Sequence, residues 1–302
     1  MRVAIRWFLW QLLFALATDF VAHAQAFDFH YRPEWRRWNV WDYAATAALV
    51  GAYYGVEFGF DGPRGAEFRE ALPGLERGAR DWLAADTRNA REQADVISDW
   101  LWRASVSYPV LDAAVTPLVR GVDVESSWRL SLINLQSFVV ASLLLRIPHK
   151  FVGRERPLTL GCERDLEYSE MCTSKQRFVS FYGGHLTISM TGAGLACAHH
   201  LHGQLYAGGL PDVLACSASI GVATAVGYFR MRADKHWLTD QLLGAVVGFA
   251  SGYLLPTLLY YRPWRRTHPP TDTSKRSLDG ARAIVMPMLT HDGFGAGVLL
   301  VH

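Results

Sequence analysis

Arg230-Met231-Arg232-Ala233-Asp234-Lys235-His236-Trp237-Leu238-Thr239-Asp240 is a charged stretch set between two apolar runs, 213–229 and 242–261. Both runs have helical length, so the stretch reads as a helix–helix junction. His236 and Asp240 are four apart, which puts them on one face of a helix. An Asp there accepts a hydrogen bond from one ring nitrogen and leaves the other as a free lone pair. Arg230 lies six residues earlier, within reach through a turn. Its planar fork suits an oxyanion, pairing two oxygens at once. The plainer reading is a surface loop with Asp240 as an ordinary first-turn acid.

Two upstream stretches shift the balance. In Ser180-Phe181-Tyr182-Gly183-Gly184-His185 the glycine pair lets the backbone approach a ligand, with main-chain N–H groups as donors. His185 then opens the apolar run 186–198, which places it at a helix N-terminus, a good anion site. The alternative is a glycine turn before a helix with a solvated histidine. His149-Lys150-Phe151-Val152-Gly153-Arg154-Glu155-Arg156-Pro157 adds guanidiniums after the run 130–145. Lys150 and Arg154 read equally well as a basic helix boundary, whereas Arg156 beside the proline reads as functional.

The three stretches resemble the signature of the phosphatidic acid phosphatase type 2 and vanadium-haloperoxidase superfamily. Its pattern is Lys, six residues, Arg-Pro; then Pro-Ser-Gly-His; then Ser-Arg, five residues, His, three residues, Asp. Arg156-Pro157, Gly184-His185, Arg230, His236 and Asp240 match it in residue, spacing and order, and the likeness spans residues 94–261. The resemblance implies a double displacement without a metal. His236 attacks phosphorus, Asp240 steadies its imidazolium, and His185 protonates the leaving oxygen and then activates water. Arg156, Arg230 and the Gly183-Gly184 amides carry the transition-state charge. Vanadate is expected to occupy the same cradle.

The chain departs from the pattern in places. His149 stands where the family has Lys, with Lys150 one place off; Tyr182-Gly183 replaces Pro-Ser, and Phe229 replaces the Ser before Arg230. A protonated His149 is the expected stand-in for Lys, which makes activity acid-dependent. Gly183→Ser and His149→Lys are accordingly expected to raise phosphate release at neutral pH.

The remaining sequence bounds the setting. Six apolar runs (40–58, 97–119, 130–145, 186–198, 213–229 and 242–261) predict an all-α bundle of about six core helices. The motifs fall at the end of the third run, the start of the fourth and the junction of the fifth and sixth. If the runs alternate in direction, all three lie at one end. Only 242–261 reaches bilayer length without a charge, so six spans and a soluble bundle both stay open. Residues 1–24 read as an export signal, or as an uncleaved anchor. A periplasmic active site then requires one early run, 40–58, to lie flat.

The predicted organisation is a signal at 1–24, an N-terminal helical and surface region at 25–95, the bundle at 96–262, and a polar linker and tail at 263–302. In the tail, 283–289 and 294–301 flank Asp292-Gly293 as a short β-hairpin, or form a loose end. Segment 63–91 reads as a surface connection with one helix. Four cysteines fit export: Cys162 and Cys172 bracket a polar loop and are expected to pair, while Cys197 and Cys216 read as buried thiols or as a second pair. His199, His200 and His202 lack nearby acids with ligand spacing and read as a solvated helix end rather than a metal site. A net charge of only +2 gives no sign of a nucleic-acid partner. The expected partners are a phosphorylated, lipid-like substrate and a membrane surface. Haloperoxidase activity, and phosphate or lipid binding without turnover, are the rival readings.

Overall fold

A computed structural model describes Arg32, residues 35–121 and 123–262, and the backbone of two strands at 282–290 and 293–301. Segment 1–24 and the linker at 263–280 lie outside the described residues. Eight α-helices follow one another: α1 (Val40–Gly59), α2 (Pro73–Leu83), α3 (Arg88–Gly121), α4 (Val124–Phe151), the single turn α5 (Thr159–Cys162), α6 (Gly184–Ala198), α7 (Leu210–Arg232) and α8 (Leu238–Phe249). Five of the six apolar runs each lie in one of them, the sixth, 242–261, begins in α8, and the fold is an all-α bundle. α8 continues through the π-helical turns Ala250–Leu254 and Thr257–Tyr261.

Local chemistry sets the helix starts. Asn39 and Asp42 form a capping box at α1, Pro73 opens α2, and Asp123 accepts the Ser126 N–H at α4. α6 is apolar all round, and twelve of its fifteen residues are buried. It is the central helix, packed on α3, α4, α7 and α8. Glycine sets how closely α8 approaches. A Cβ at Gly248 would lie 2.1 Å from the Thr187 carbonyl oxygen, and one at Gly252 2.0 Å from that of Thr191. No side chain fits at either place without pushing the helices apart.

α3 runs through position 95/96, so the boundary expected there falls inside a helix. Segment 63–91 is more than a surface connection, because α2 carries Glu76 into the interior. Residues Arg265–His302 form a separate unit whose described part is an antiparallel pair, β1 (Arg282–Thr290) and β2 (Gly293–Val301), with Thr290 opposite Gly293. α4, α7 and the stretch Leu238–Tyr261 are long and apolar enough to cross a membrane.

The histidine cluster differs from expectation. His199 and His200 are buried, not solvated. His199 bonds Asn134 at 2.8 Å and Tyr261 at 2.5 Å. His200 lies between Asp212 at 2.6 Å and Asp112 at 3.0 Å, with the Tyr108 hydroxyl also at 3.0 Å. These acids lie 88 positions upstream and twelve downstream, so local spacing gave no hint of them. Cys197 and Cys216 form a second disulfide that ties the end of α6 to α7, which settles the alternative left open for them.

Burial lowers the His200 pKa, but the two carboxylates outweigh it and hold the pKa above the ordinary value. The stabilisation is therefore complete below about pH 6.5, the unfolded value, and is lost as pH rises through the folded value. Replacing one member of a buried ionic cluster costs about 3–5 kcal/mol. His200→Ala is expected to lower the thermal unfolding midpoint by that equivalent and to flatten its decline above pH 6.5, as read by calorimetry across pH.

Candidate active site

The three motif stretches meet around a fully buried guanidinium, that of Arg154. It donates to Asp240 Oδ1 at 2.6 Å, to Glu76 Oε1 at 2.5 Å and to Thr239 Oγ1 at 2.9 Å. Asp240 sits in the first turn of α8, where its Oδ2 accepts the Trp237 N–H at 3.1 Å and the Ser180 hydroxyl at 2.6 Å. The ordinary first-turn role of this acid is thus real, and it coexists with the ionic one.

His236 lies just before α8, not on it, so helical spacing does not set its contact with Asp240. Its Nδ1 is 3.8 Å from Asp240 Oδ2 but 3.0 Å from the Ser180 carbonyl oxygen. A carbonyl only accepts, so Nδ1 carries the proton and Nε2 holds the lone pair. That lone pair lies 3.5 Å from an Arg156 nitrogen. Arg156 is itself fixed by the carbonyls of Gln176 at 2.9 Å and Lys235 at 3.1 Å. Burial, then the charges of Arg156 and Arg230, push the His236 pKa well below the usual histidine value. The ring is neutral at pH 7, as a nucleophile must be.

His185, on the first turn of α6, is about one-third exposed. Its Nε2 is 3.1 Å from Asp99, and its ring leans on Trp102. Burial and the neighbouring Arg230 charge lower its pKa to about 3, while the Asp95 carboxylate works in the opposite direction. Arg230 bonds Asp95 at 2.5 Å and approaches Asp99 at 3.6 Å; its buried Nε has no partner among the described residues. Lys235 also pairs with Asp95. His185, His236, Arg156 and Arg230 therefore form one electrostatic cluster.

The glycine pair is placed differently from expectation. The Gly183 N–H already donates to the Asp240 carbonyl at 3.1 Å. The N–H groups left open by helix geometry are those of Gly184, His185 and Leu186 in the first turn of α6. A Cβ at Gly183 would meet Gln241 Oε1 at 2.7 Å, so a serine there displaces the Gln241 side chain rather than filling a gap. His149 Nε2 donates to the Tyr182 carbonyl at 3.0 Å, which fixes the turn before α6. The Lys150 ammonium goes to the Glu57 carbonyl at 2.6 Å and its carboxylate at 3.5 Å. Both residues line an open cleft of about 360 Å³ that Arg156 also borders.

Cys162 and Cys172 are joined by a disulfide. They pack with Leu158, Tyr168 and Met171 beside the His236 loop, where Asp234 takes both the Arg80 fork at 2.7 Å and the Tyr168 hydroxyl at 2.8 Å. Sequence reasoning missed Glu76, Asp95, Ser180, Lys235 and Gln241. Ser180 and Lys235 lie inside the motif stretches, which was their local signal; Glu76, Asp95 and Gln241 lie outside them.

The sequence model of the PAP2 superfamily matches residues 130–264, so that segment is similar to the superfamily. The segment holds α4 to α8 and every motif residue. Comparison with curated proteins and with solved structures finds no match.

Arg154→Met leaves two buried carboxylates unpaired, at a cost of about 3–5 kcal/mol. The expected outcome is a loss of thermal stability of that size. Glu76→Gln/Arg154→Met, with one carboxylate fewer, should recover part of it in the same unfolding measurement.

Proposed function

We propose that the chain is a phosphatase that hydrolyses a phosphomonoester or pyrophosphate, of a lipid, through a phosphohistidine. The observation that supports this best is the neutral His236, whose Nε2 lone pair points beside the Arg156 guanidinium. In this reading His236 Nε2 attacks phosphorus, and the bond to the leaving oxygen breaks as that oxygen takes a proton through His185. Arg156, the free Arg230 Nε and the open amides of α6 hold the three phosphoryl oxygens. In the second step water gives a proton to His185, attacks the phosphohistidine and frees inorganic phosphate. Orthovanadate, tetrahedral and anionic, is expected to compete for the same cradle.

Two features favour an amphiphilic, polyanionic substrate. Three helices are long and apolar enough to cross a membrane, which brings the site to lipid. The cleft bordering Arg156 is lined by Arg64, Arg146, Lys150 and Lys175 against only two carboxylates, Glu57 and Asp61. That excess of positive charge suits a second phosphate on the leaving side. Two disulfides favour an oxidising compartment, in keeping with export and a periplasmic site.

The test is phosphate release by the purified protein from lipid monophosphates and diphosphates. Release is expected to favour the diphosphate, to stop with orthovanadate, and to fall more than ~10⁴-fold in His236→Ala. Turnover surviving in that variant would place the chemistry elsewhere. The pH profile follows from the histidines. The group that must be unprotonated, His236, has a depressed pKa, so its acid limb lies well below pH 6.5. With His185 also depressed, the leaving-group proton arrives on the substrate monoanion, whose second pKa is about 6. kcat/KM should be flat near pH 5–6 and fall about tenfold per unit above pH 7. An optimum above pH 8 would contradict this assignment.

A further inference from the structure

The first turns of α6 and α8 face each other, joined by the Gly183 N–H to the Asp240 carbonyl. Gln241 follows Asp240 and turns its side chain into that junction. The residue is 4 % exposed, and neither its Oε1 nor its Nε2 has a hydrogen-bond partner among the described residues. Buried amides in folded proteins are paired, because leaving both ends unmet forfeits their hydration for nothing. Position 183 explains where this amide sits. A Cβ there would fall 2.7 Å from Gln241 Oε1 and 3.2 Å from Nε2, so the amide occupies the space a side chain at 183 would take. In the pattern this chain resembles, that position carries a hydroxyl.

We propose that Gln241 is a phosphate-binding residue, which supplies from α8 the uncharged donor that Gly183 lacks. The inference rests on the phosphoryl-site reading above. A tetrahedral oxyanion on the open N–H groups of Gly184 and His185 is held on one side by the free Arg230 Nε. On the other side it brings one oxygen to Gln241 Nε2. Oε1 accepts from the protonated oxygen of a phosphate monoanion, so binding satisfies both ends of the amide. Either flip of the amide presents the same donor and acceptor pair. Gly183 and Gln241 thus act as a pair: the missing side chain on one helix makes room for the amide on the other.

Inorganic phosphate is the probe, titrated by calorimetry at pH 6.5 into the full chain. The variants are Gln241→Met, which keeps the volume without polar atoms; Gln241→Glu; and Gln241→Ala/Gly183→Ser. Gln241→Met is expected to weaken phosphate about 10- to 100-fold, with an unchanged or raised thermal midpoint. Gln241→Glu should weaken it further, because a carboxylate repels the anion. The double variant, with a hydroxyl restored where the amide was, should return to within about threefold of wild type. A purely packing role moves the midpoint and not the phosphate affinity. Phosphate affinity of Gln241→Met within about twofold of wild type overturns the proposal, whatever the turnover. A wild type that binds phosphate but releases none from any ester counts against the phosphatase reading alone, and the affinities still decide Gln241. A wild type that does not bind phosphate overturns both.

Discussion

Arg154 is the charge on which the site depends. A guanidinium with no solvent exposure is costly unless fully paired, and this one bonds α2 through Glu76 and α8 through Asp240 and Thr239. The pairing fixes Asp240, which takes the Ser180 hydroxyl, and the carbonyl of the same serine takes the His236 proton. The proposed nucleophile, His236, is therefore oriented through a backbone carbonyl, with the carboxylate one step behind it. This explains why a spacing that suggests direct His–Asp contact corresponds to a separation of 3.8 Å. It also explains why α2 belongs to the active-site structure without approaching the reacting atoms.

Close helix contact gives the site its precision. The glycines of α8 let the Thr187 and Thr191 carbonyls of α6 come within a distance no Cβ tolerates. Contact that tight allows little sliding, so the first turns of the two helices, one carrying His185 and the other Asp240 and Gln241, stay in register. Two disulfides brace the same assembly, one beside the His236 loop and one at the far end of α6. The groups proposed to handle phosphate thus sit on rigid elements, as preorganised electrostatic stabilisation requires.

Helix count and the placement of the motifs were legible because both are local. An apolar run of helical length announces a helix, and Gly184-His185 before such a run announces its N-terminus. What could not be read depends on partners far away in sequence. Glu76 meets Arg154 across 78 positions, and Arg230 meets Asp95 across 135. His200 looked solvated because its acids belong to other helices. Gln241 was invisible for a different reason: its significance is the absence of a partner, which only three dimensions display.

On the phosphatase reading, the acids facing the cluster bear on catalysis as much as the cations do. In this structure Asp95 and Asp99 already engage Arg230, Lys235 and His185. A phosphate entering this site does not meet bare charges; it exchanges for, or shares with, carboxylates already in place. Ground-state affinity is tempered accordingly, since each cation gives up part of an existing interaction. In the proposed transition state the Arg230 Nε, which has no partner among the described residues, and the α6 amides have no carboxylate to leave and gain most. Interactions that strengthen only as the reaction proceeds are the ones that raise kcat. If the site turns over phosphate as proposed, the carboxylates serve turnover by keeping the resting cradle from holding its product too tightly.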